Sequence, residues 1–401
     1  MRRLFFITVL TIIFLYTLLG FISYQINFPL IPQSYSFTGN KFYDYAGITH
    51  AQTNLSTGSG SIPELSQAAA QAGCQFLVIT DLNLIEKPSE AEGYKNDVLV
   101  MLGGKFSFLG GHLLVYNFKG PWPFKGMGQS QIYFNDLLQN AKPSPSILVA
   151  AHPFLPRHSW ENLSLPGLDG MEILNLDSIW HTALSDHKIN VFGNLLMFPF
   201  NPDLSFLRIF SEPTQELTAW DENLKKRQFL GLAGSGATAK AVPFPDQVFK
   251  FPSYRQSFRL IKNHILLKSE LTGSFEEDKT KLMGALGEGH FYFSVDLLGD
   301  PTGFYFTALE GNKEYLLGDT IRLEKRPIKL MADLGRDIDI PHEILLYKNG
   351  EVVSRSTGRS LTALINEKGA YRIVVKLQAP LPPPSGKTWF SWIFSNSIRV
   401  E

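Results

Sequence analysis

The sequence predicts an α/β domain followed by an all-β domain, with one transmembrane helix ahead of both. Three observations carry this reading. Leu4 to Ile26 is an uncharged and mostly apolar run. From about Phe42 to His290 short apolar runs alternate with amphipathic stretches. After His290 the texture changes to strand-like runs separated by turns.

The apolar run comes first. At a rise of ~1.5 Å per residue, about 20 residues make a helix of roughly 30 Å, the thickness of a bilayer's hydrocarbon layer. Arg2 and Arg3 precede the run and the next charged residue is Lys41. The positive-inside rule then places the N-terminus in the cytoplasm and the bulk of the chain in the periplasm or outside the cell, with the inner membrane as a partner. A cleaved signal peptide is the rival reading. It calls for a shorter apolar core of about 7–15 residues and small residues at a cleavage site, and Gly20-Phe21-Ile22-Ser23-Tyr24 matches that poorly. No cysteine follows closely, which excludes a lipoprotein anchor. Residues 1–26 are therefore assigned to the anchor. Residues 27–41, with two prolines and no hydrophobic period, are assigned to an extended tether.

Residues 42–290 form the first folded unit. Gln75–Thr80, Val98–Leu102, His112–Phe118, Ile147–Ala151, Met171–Leu176 and Phe229–Ala233 have the composition of strands buried on both faces. Ser61-Ile62-Pro63-Glu64 is a capping box with proline in the first helical turn, and Gly73 suits that helix's C-terminal end. A second helix is expected to bury Ile132, Tyr133, Leu137, Leu138 and Ala141 on one face. Lys225-Lys226-Arg227 fits the end of a third. Such alternation means an α/β barrel or a doubly wound sheet. Residues 291–401 supply strands at Phe291, Gly303, Ile328, Glu343 and Ala370, and Lys348-Asn349-Gly350-Glu351 is a hairpin signal. About 110 residues of this kind suggest a β-sandwich, with Leu381-Pro-Pro-Pro-Ser-Gly as a local extended loop.

Composition narrows the function. The 401 residues hold 37 basic and 37 acidic side chains, a formal charge of zero. That balance argues against nucleic acid as a partner, because neutralising phosphates takes an excess of basic charge. With 44% hydrophobic and 18% charged residues the chain is not generally disordered. The single cysteine, Cys74, excludes an internal disulfide and a cysteine-based zinc site, and reads as a structural thiol.

The stretch that speaks to chemistry is Gly47-Ile-Thr-His50-Ala-Gln52-Thr-Asn-Leu-Ser-Thr57-Gly58, followed through a helix by Phe76-Leu-Val-Ile-Thr-Asp81-Leu82-Asn. Further along lie Leu102-Gly-Gly-Lys105-Phe-Ser, Gly111-His-Leu-Leu, Ala150-Ala-His152-Pro, Gly170-Met-Glu-Ile-Leu-Asn and Gly234-Ser-Gly236-Ala-Thr238. In order and spacing these resemble the motifs of the PHP (polymerase and histidinol phosphatase) superfamily. The later segments Leu286-Gly-Glu-Gly-His-Phe-Tyr and Trp392-Ile-Phe-Ser-Asn-Ser-Ile resemble its CehA/McbA-like branch. The resemblance spans about Tyr45 to Val400. It implies a distorted PHP-type (β/α)7 barrel carrying a C-terminal β-sandwich. It also implies hydrolysis of phosphoesters or other ester-like bonds on two or three divalent metals held at the barrel rim.

The ligand set that the resemblance implies is depleted here. His50 keeps the first histidine of H-x-H and Gln52 replaces the second; Thr57 stands for the aspartate of S-D-G. Asp81 keeps its place while Leu82 replaces a histidine, and His152 persists. Gly236 and Thr238 replace the closing aspartate and histidine, and Lys105 stands where a bridging glutamate belongs. A lysine ~5 Å from a dication is repelled by about 7 kcal/mol at an effective dielectric of ~20. The vestigial pocket is thus expected to comprise His50, Gln52, Asp81, Lys105, His152, Gly236 and Thr238, with no cofactor. In this arrangement the Lys105 ammonium takes the metal's place beside Asp81. The competing expectation keeps one divalent cation (zinc, manganese or iron) on His50, Asp81 and His152. His112, inside an apolar run, reads as a core histidine, and His158, His181 and His187 as solvated ones.

Three functions follow. The first is a catalytically impaired homologue that binds a small anionic ligand or an envelope protein at the former active-site mouth. The second is an active metal-dependent phosphoesterase or esterase with a reduced metal site. The third is a structural envelope component.

Overall fold

The computed structural model describes residues 2–32, 41–86, 90–108, 110–140, 145–186, 188–244, 247–324, 326–381 and 386–401. His187, most of the tether and most of the triple-proline loop lie outside the described residues. The fold is mixed α/β and ends in a strand-rich C-terminal region.

The apolar run forms α1 (Arg2–Tyr24). It is the one helix among the described residues long and apolar enough to cross a membrane, and little of it is covered by the rest of the chain. β1 (Tyr43–Ala51) follows, then α2 (Ile62–Gln71), which starts at the expected capping box: the Ser61 amide donates to Glu64 at 2.7 Å. Gly73 just beyond that helix takes φ +73, a conformation an L side chain would strain. β2 (Phe76–Ile79), β3 (Gly93–Lys95), β4 (Val98–Leu102), β5 (Gly104–Phe108) and β6 (Gly111–Tyr116) come next without an intervening helix. α3 (Met127–Gln139), β7 (Ile147–Ala151), β8 (Gly170–Asn175), α4 (Leu176–Asp186), α5 (Lys188–Met197), α6 (Pro202–Leu207), α7 (Thr214–Leu224) and β9 (Leu230–Gly234) complete the middle of the chain. A hairpin of β10 (Ala241–Phe244) and β11 (Gln247–Phe249) leads to α8 (Tyr254–Leu260), β12 (Lys262–Leu267) and α9 (Phe275–Glu288).

Two sheets form the α/β part. β12, β1, β2, β4 and β3 adjoin in that order, with β1–β2–β4 parallel and β12 and β3 antiparallel at the flanks. The order β5-β6-β7-β8-β9 makes the second sheet, antiparallel up to β7 and parallel beyond. Single parallel bridges join the two sheets at both sides, Leu82 to Lys105 and Ala51 to Ala237. Between them lies a shared core in which Phe76, Val78 and Met101 meet Leu114, Val149 and Leu232. On the outer face of β2, Leu77 and Ile79 pack with Leu65 and Ala69 of α2 and with Phe258 of α8. β2 is buried on both faces, which is why its sequence is apolar without alternation. The antiparallel β5–β6–β7 meander departs from a uniform strand–helix repeat, because Gly110 at φ +82 and Gly111 close β5 and β6 into a tight turn.

The C-terminal region holds β13 (Phe291–Ser294), β14 (Tyr305–Glu310), β15 (Lys313–Leu316), β16 (Thr320–Ile321), β17 (Ile328–Asp333), β18 (His342–Lys348), β19 (Glu351–Ser356), β20 (Ser360–Ile365), β21 (Gly369–Pro380), β22 (Lys387–Ser395) and β23 (Ile398–Val400). β15-β14-β17-β20 is a four-stranded sheet whose Phe306, Leu330 and Ala332 share one core with Ile344, Ile373 and Val375 of β18 and β21. The Asn349-Gly350 turn joins β18 to β19, both residues at positive φ as such a hairpin requires. β13 pairs with β12 on one edge and β22 on the other. Among the described residues, one 12-stranded sheet therefore runs across position 290. Arg372 of β21 clasps Asp221 of α7 through two bonds of 2.8 and 2.7 Å, a buried bidentate pair that fastens the two parts together.

One expected surface is corrected. α3 buries Ser130, Phe134, Leu137 and Leu138, while Ile132 is 72% exposed. The ring of Phe134 decides the helix's rotation, because it packs with Phe106, Phe124 and Trp122. Ala141 lies outside the described residues.

A buried charge network ties β1 to β12. His264 bonds Asp44 at 2.9 Å and Asp296 at 3.2 Å, and Lys262 pairs with Asp296 at 3.0 Å. Burial by itself lowers the pKa of His264, but Asp44 and Asp296 outweigh it and push it up to about 10. An unfolded histidine titrates near ~6.5, so this contribution is complete below that pH and is lost as pH rises towards about 10. The thermal midpoint is expected to fall across that window, more steeply for the native chain than for His264→Gln. Equal slopes would show that the imidazolium contributes nothing.

Candidate functional site

The expected pocket residues approach one another at the strand ends where the two sheets meet. His50, second from the end of β1, is fully buried, and its Nδ1 lies 2.7 Å from Glu172 Oε1 on β8. The Gln52 amide nitrogen stands 3.4 Å from the other ring nitrogen. An amide N–H can only donate, so His50 Nε2 accepts and the ring proton lies on Nδ1, aimed at Glu172. Glu172 Oε2 also accepts from the His152 amide at 2.8 Å and the Asn175 side chain at 2.7 Å. This one carboxylate therefore organises β1, β7 and β8.

Lys105 lies on β5 and is 4% exposed. Its backbone is clamped to the segment after β2: its amide donates to Asp81 O at 3.3 Å, and its carbonyl accepts from Asn83 at 2.7 Å. Desolvation pulls the ammonium below its ordinary pKa, and Asp177 and Glu172 oppose that pull. The expected partnership with Asp81 is thus corrected. Asp81 is taken up by the turn after β1, accepting from the Thr53 amide and hydroxyl at 2.7 Å each and from the Ser56 hydroxyl. Those three donors engage Asp81 locally, and the acids whose charge acts on Lys105 are Asp177 and Glu172.

Two glycines make room for those two carboxylates. A Cβ at Gly234 would fall 1.6 Å from Glu172 Oε1, and one at Gly236 would fall 2.7 Å from Asp177 Oδ2. In the motif that Gly234-Ser235-Gly236 resembles, the third position carries an aspartate. Here the space beside that position holds the carboxylate of Asp177, which reaches it from the start of α4. Burial raises the pKa of Asp177, opposed by Lys105 and His50.

His112 and His152 form the other wall. His112 Nδ1 and His152 Nε2 are 3.0 Å apart, and His158 stacks on His112 with ring centroids 4.4 Å apart. Desolvation first, and then the charge of Lys105, lowers His112 to about 3 and His152 further still. Both rings are neutral at ordinary pH. The expectation of a core His112 agrees with its burial on β6, where it stands beside His152; that of a solvated His158 is corrected, since the loop after β7 returns it to them. Thr238 stands apart. Its carbonyl accepts from the Ser59 amide at 2.9 Å and from Tyr254 Oη.

Glu172, Asp177 and His112 were missed by sequence reasoning. Each carried a signal. Glu172 and His112 are single polar residues inside runs otherwise buried on both faces, where a polar side chain needs a partner. Asp177 sits at a strand-to-helix junction, where a carboxylate is common and easily passed over.

The arrangement does not fit a metal cluster. The lone pair His50 would offer faces an amide donor, Asp81 already accepts three hydrogen bonds, and a lysine is buried in the same site. No group of three or more histidine, cysteine, aspartate or glutamate side chains suited to a metal occurs among the described residues. Next to the site is a cavity of about 420 Å³, with Asp177, Ser235, Thr238 and Lys240 as polar lining and Trp180, Leu184 and Phe251 as apolar lining.

No protein-family model matches the chain, and no curated protein matches it in sequence. In structure it is similar to a two-domain protein of Bacteroides vulgatus containing a predicted PHP-like metal-dependent phosphoesterase. That match has 9% identity and a TM-score of 0.42, and covers 92% of this chain and 98% of that one. It is also similar to a Bifidobacterium adolescentis protein named as a proposed metal-dependent phosphoesterase, at 14% identity and a TM-score of 0.28, covering 52% and 94%.

Gly234→Ala is expected to destabilise the chain by about 1–3 kcal/mol, since Glu172 must move or the strand must shift. In a double-mutant cycle with Glu172→Ala the two changes should couple by about 0.5–3 kcal/mol in thermal or denaturant unfolding. Additive effects would separate the glycine from the carboxylate.

Proposed function

We propose that this chain is a PHP-type protein of the CehA/McbA-like branch, held at the outer face of the cytoplasmic membrane by α1. Its two α/β sheets are then the halves of a distorted barrel, and its former metal site has become an internal ion cluster. The observation that carries the reading is the buried Lys105 ammonium set against Glu172 and Asp177. A fixed cation supplies the positive charge those carboxylates require and repels an incoming dication by several kcal/mol, about 7 at ~5 Å. The protein is then a binding homologue, not a hydrolase. Its ligand occupies the cavity beside the cluster, a small molecule with an apolar body against Trp180 and Phe251 and a polar head between Asp177 and Lys240.

A second reading, a hydrolase with one metal, draws on a single atom. His152 Nδ1 is buried and has no hydrogen-bond partner among the described residues, as a displaced ligand nitrogen would.

Metal analysis of the purified full-length chain separates the two. The binding reading expects far less than one zinc, manganese or iron per chain. It also expects Lys105→Met to be destabilised, on the order of 3–5 kcal/mol, because two buried carboxylates lose their counter-charge. Stoichiometric metal, together with turnover of an aryl phosphate or ester that His50→Ala abolishes, would overturn it in favour of the hydrolase. A Lys105→Met chain as stable as the native one would remove the ion-cluster argument.

A further inference from the structure

We infer that the α5 surface and the β10–β11 hairpin form a bilayer-contact surface, immersed in the interfacial zone of the membrane that α1 crosses. The inference rests on the reading of α1 as a spanning helix and goes beyond anchoring: it places part of the folded domain in the lipid.

α1 does not leave the domain freely. Tyr16 Oη donates to the Leu196 carbonyl at 2.9 Å, and its ring meets Phe200 edge-on at 5.1 Å. Gly20 lies so close to Phe200 that a Cβ there would stand 2.5 Å from the ring. The Asn201 amide donates to the carbonyls of Ser23 and Ile26 at 2.8 Å each. The contacts thus run from Tyr16 to Ile26.

At ~1.5 Å per residue, Tyr16 lies about 12 Å along the axis from the C-terminal end of α1, and the whole helix is only about 34 Å long. A hydrocarbon layer of ~30 Å takes nearly all of that length. Whatever touches Tyr16 then sits below the level at which the helix leaves the lipid. A polar surface there would be costly, and the surface observed is apolar.

On α5, Phe192 is 66% exposed, Leu195 42% and Leu196 46%, while Val191 and Asn194 face inwards. Val248 and Phe249 of the hairpin are 54% and 47% exposed. The hairpin is held beside the α5–α6 region by Phe251, whose ring packs on Phe198 at 5.1 Å. Lys250 next to Phe249 is exposed and pairs with Glu64 at 2.8 Å, so its charge is already matched within the chain. Large apolar side chains pointing outwards from a helix and a hairpin are the features of an interfacial element. Leu184, 49% exposed on α4, also lines the cavity, so the mouth of the cavity opens beside this surface.

The test uses the full chain with Cys74→Ala, reconstituted in vesicles of phosphatidylethanolamine and phosphatidylglycerol with either ordinary or brominated acyl chains. A bimane fluorophore is placed singly at Phe192→Cys, Phe249→Cys, Phe14→Cys within α1, and Leu364→Cys, which is 72% exposed on β20. Leu196→Cys replaces Phe192→Cys if that variant does not fold. Bromolipid should quench Phe14, Phe192 and Phe249 at least about twofold relative to Leu364, since an interfacial side chain reaches ~5–10 Å into the headgroup–acyl boundary. If Phe14 is quenched while either Phe192 or Phe249 stays at the Leu364 level, the contact surface is overturned and the anchor stands. If Phe14 itself is not quenched, α1 does not span, and the anchor falls together with this surface.

Discussion

The arrangement of this protein's site depends on one buried lysine. Lys105 is removed from water in a position where Glu172 and Asp177 are removed with it. Burial disfavours the charged forms of Lys105 and Asp177, and each one's charge opposes that effect on the other. Much of the surrounding sequence serves that cluster. Glycine is required at 234 and 236 because the carboxylates occupy the volume of any side chain there. Asn175 and the His152 amide complete the lone pairs of Glu172. Neutral imidazoles at His112 and His152 line the side where a further cation would add repulsion.

The two sequence positions His50 and Asp81 are engaged with different partners. Asp81 holds Thr53 and Ser56 of the loop after β1. His50 Nδ1 lies 2.7 Å from Glu172. Asp177 and Glu172 are the acids whose charge acts on the buried Lys105 side chain. Asp177 fills the space beside Gly236.

Around this centre the chain is fastened at both ends. β13 makes the C-terminal strands an extension of the β12–β1–β2 sheet, and Arg372 with Asp221 reinforces that junction. At the other end α1 is tied to α5 and the start of α6 through Tyr16, Phe200 and Asn201. Leu184, 49% exposed on α4, lines the cavity beside the site.

The sequence by itself determined the local structure. Apolar runs specified β2, β4, β7 and β8 to within a residue or so, and the Ser61–Glu64 box began α2. Asn349-Gly350 turned the β18–β19 hairpin, because these features depend on neighbours within a few residues. It also named His50, Gln52, Asp81, Lys105 and His152 as members of one region, by their order along the chain. Tertiary structure decided who faces whom. His50 and Glu172 are 122 residues apart, and no local period links them. The phase of α3 went to Phe134 because a ring cluster built from two other segments outweighs the helix's own pattern. The partner of Lys105 was likewise set by pairing between strands. A charge's energy depends on what the fold places within a few ångströms of it, and a linear sequence does not carry that distance.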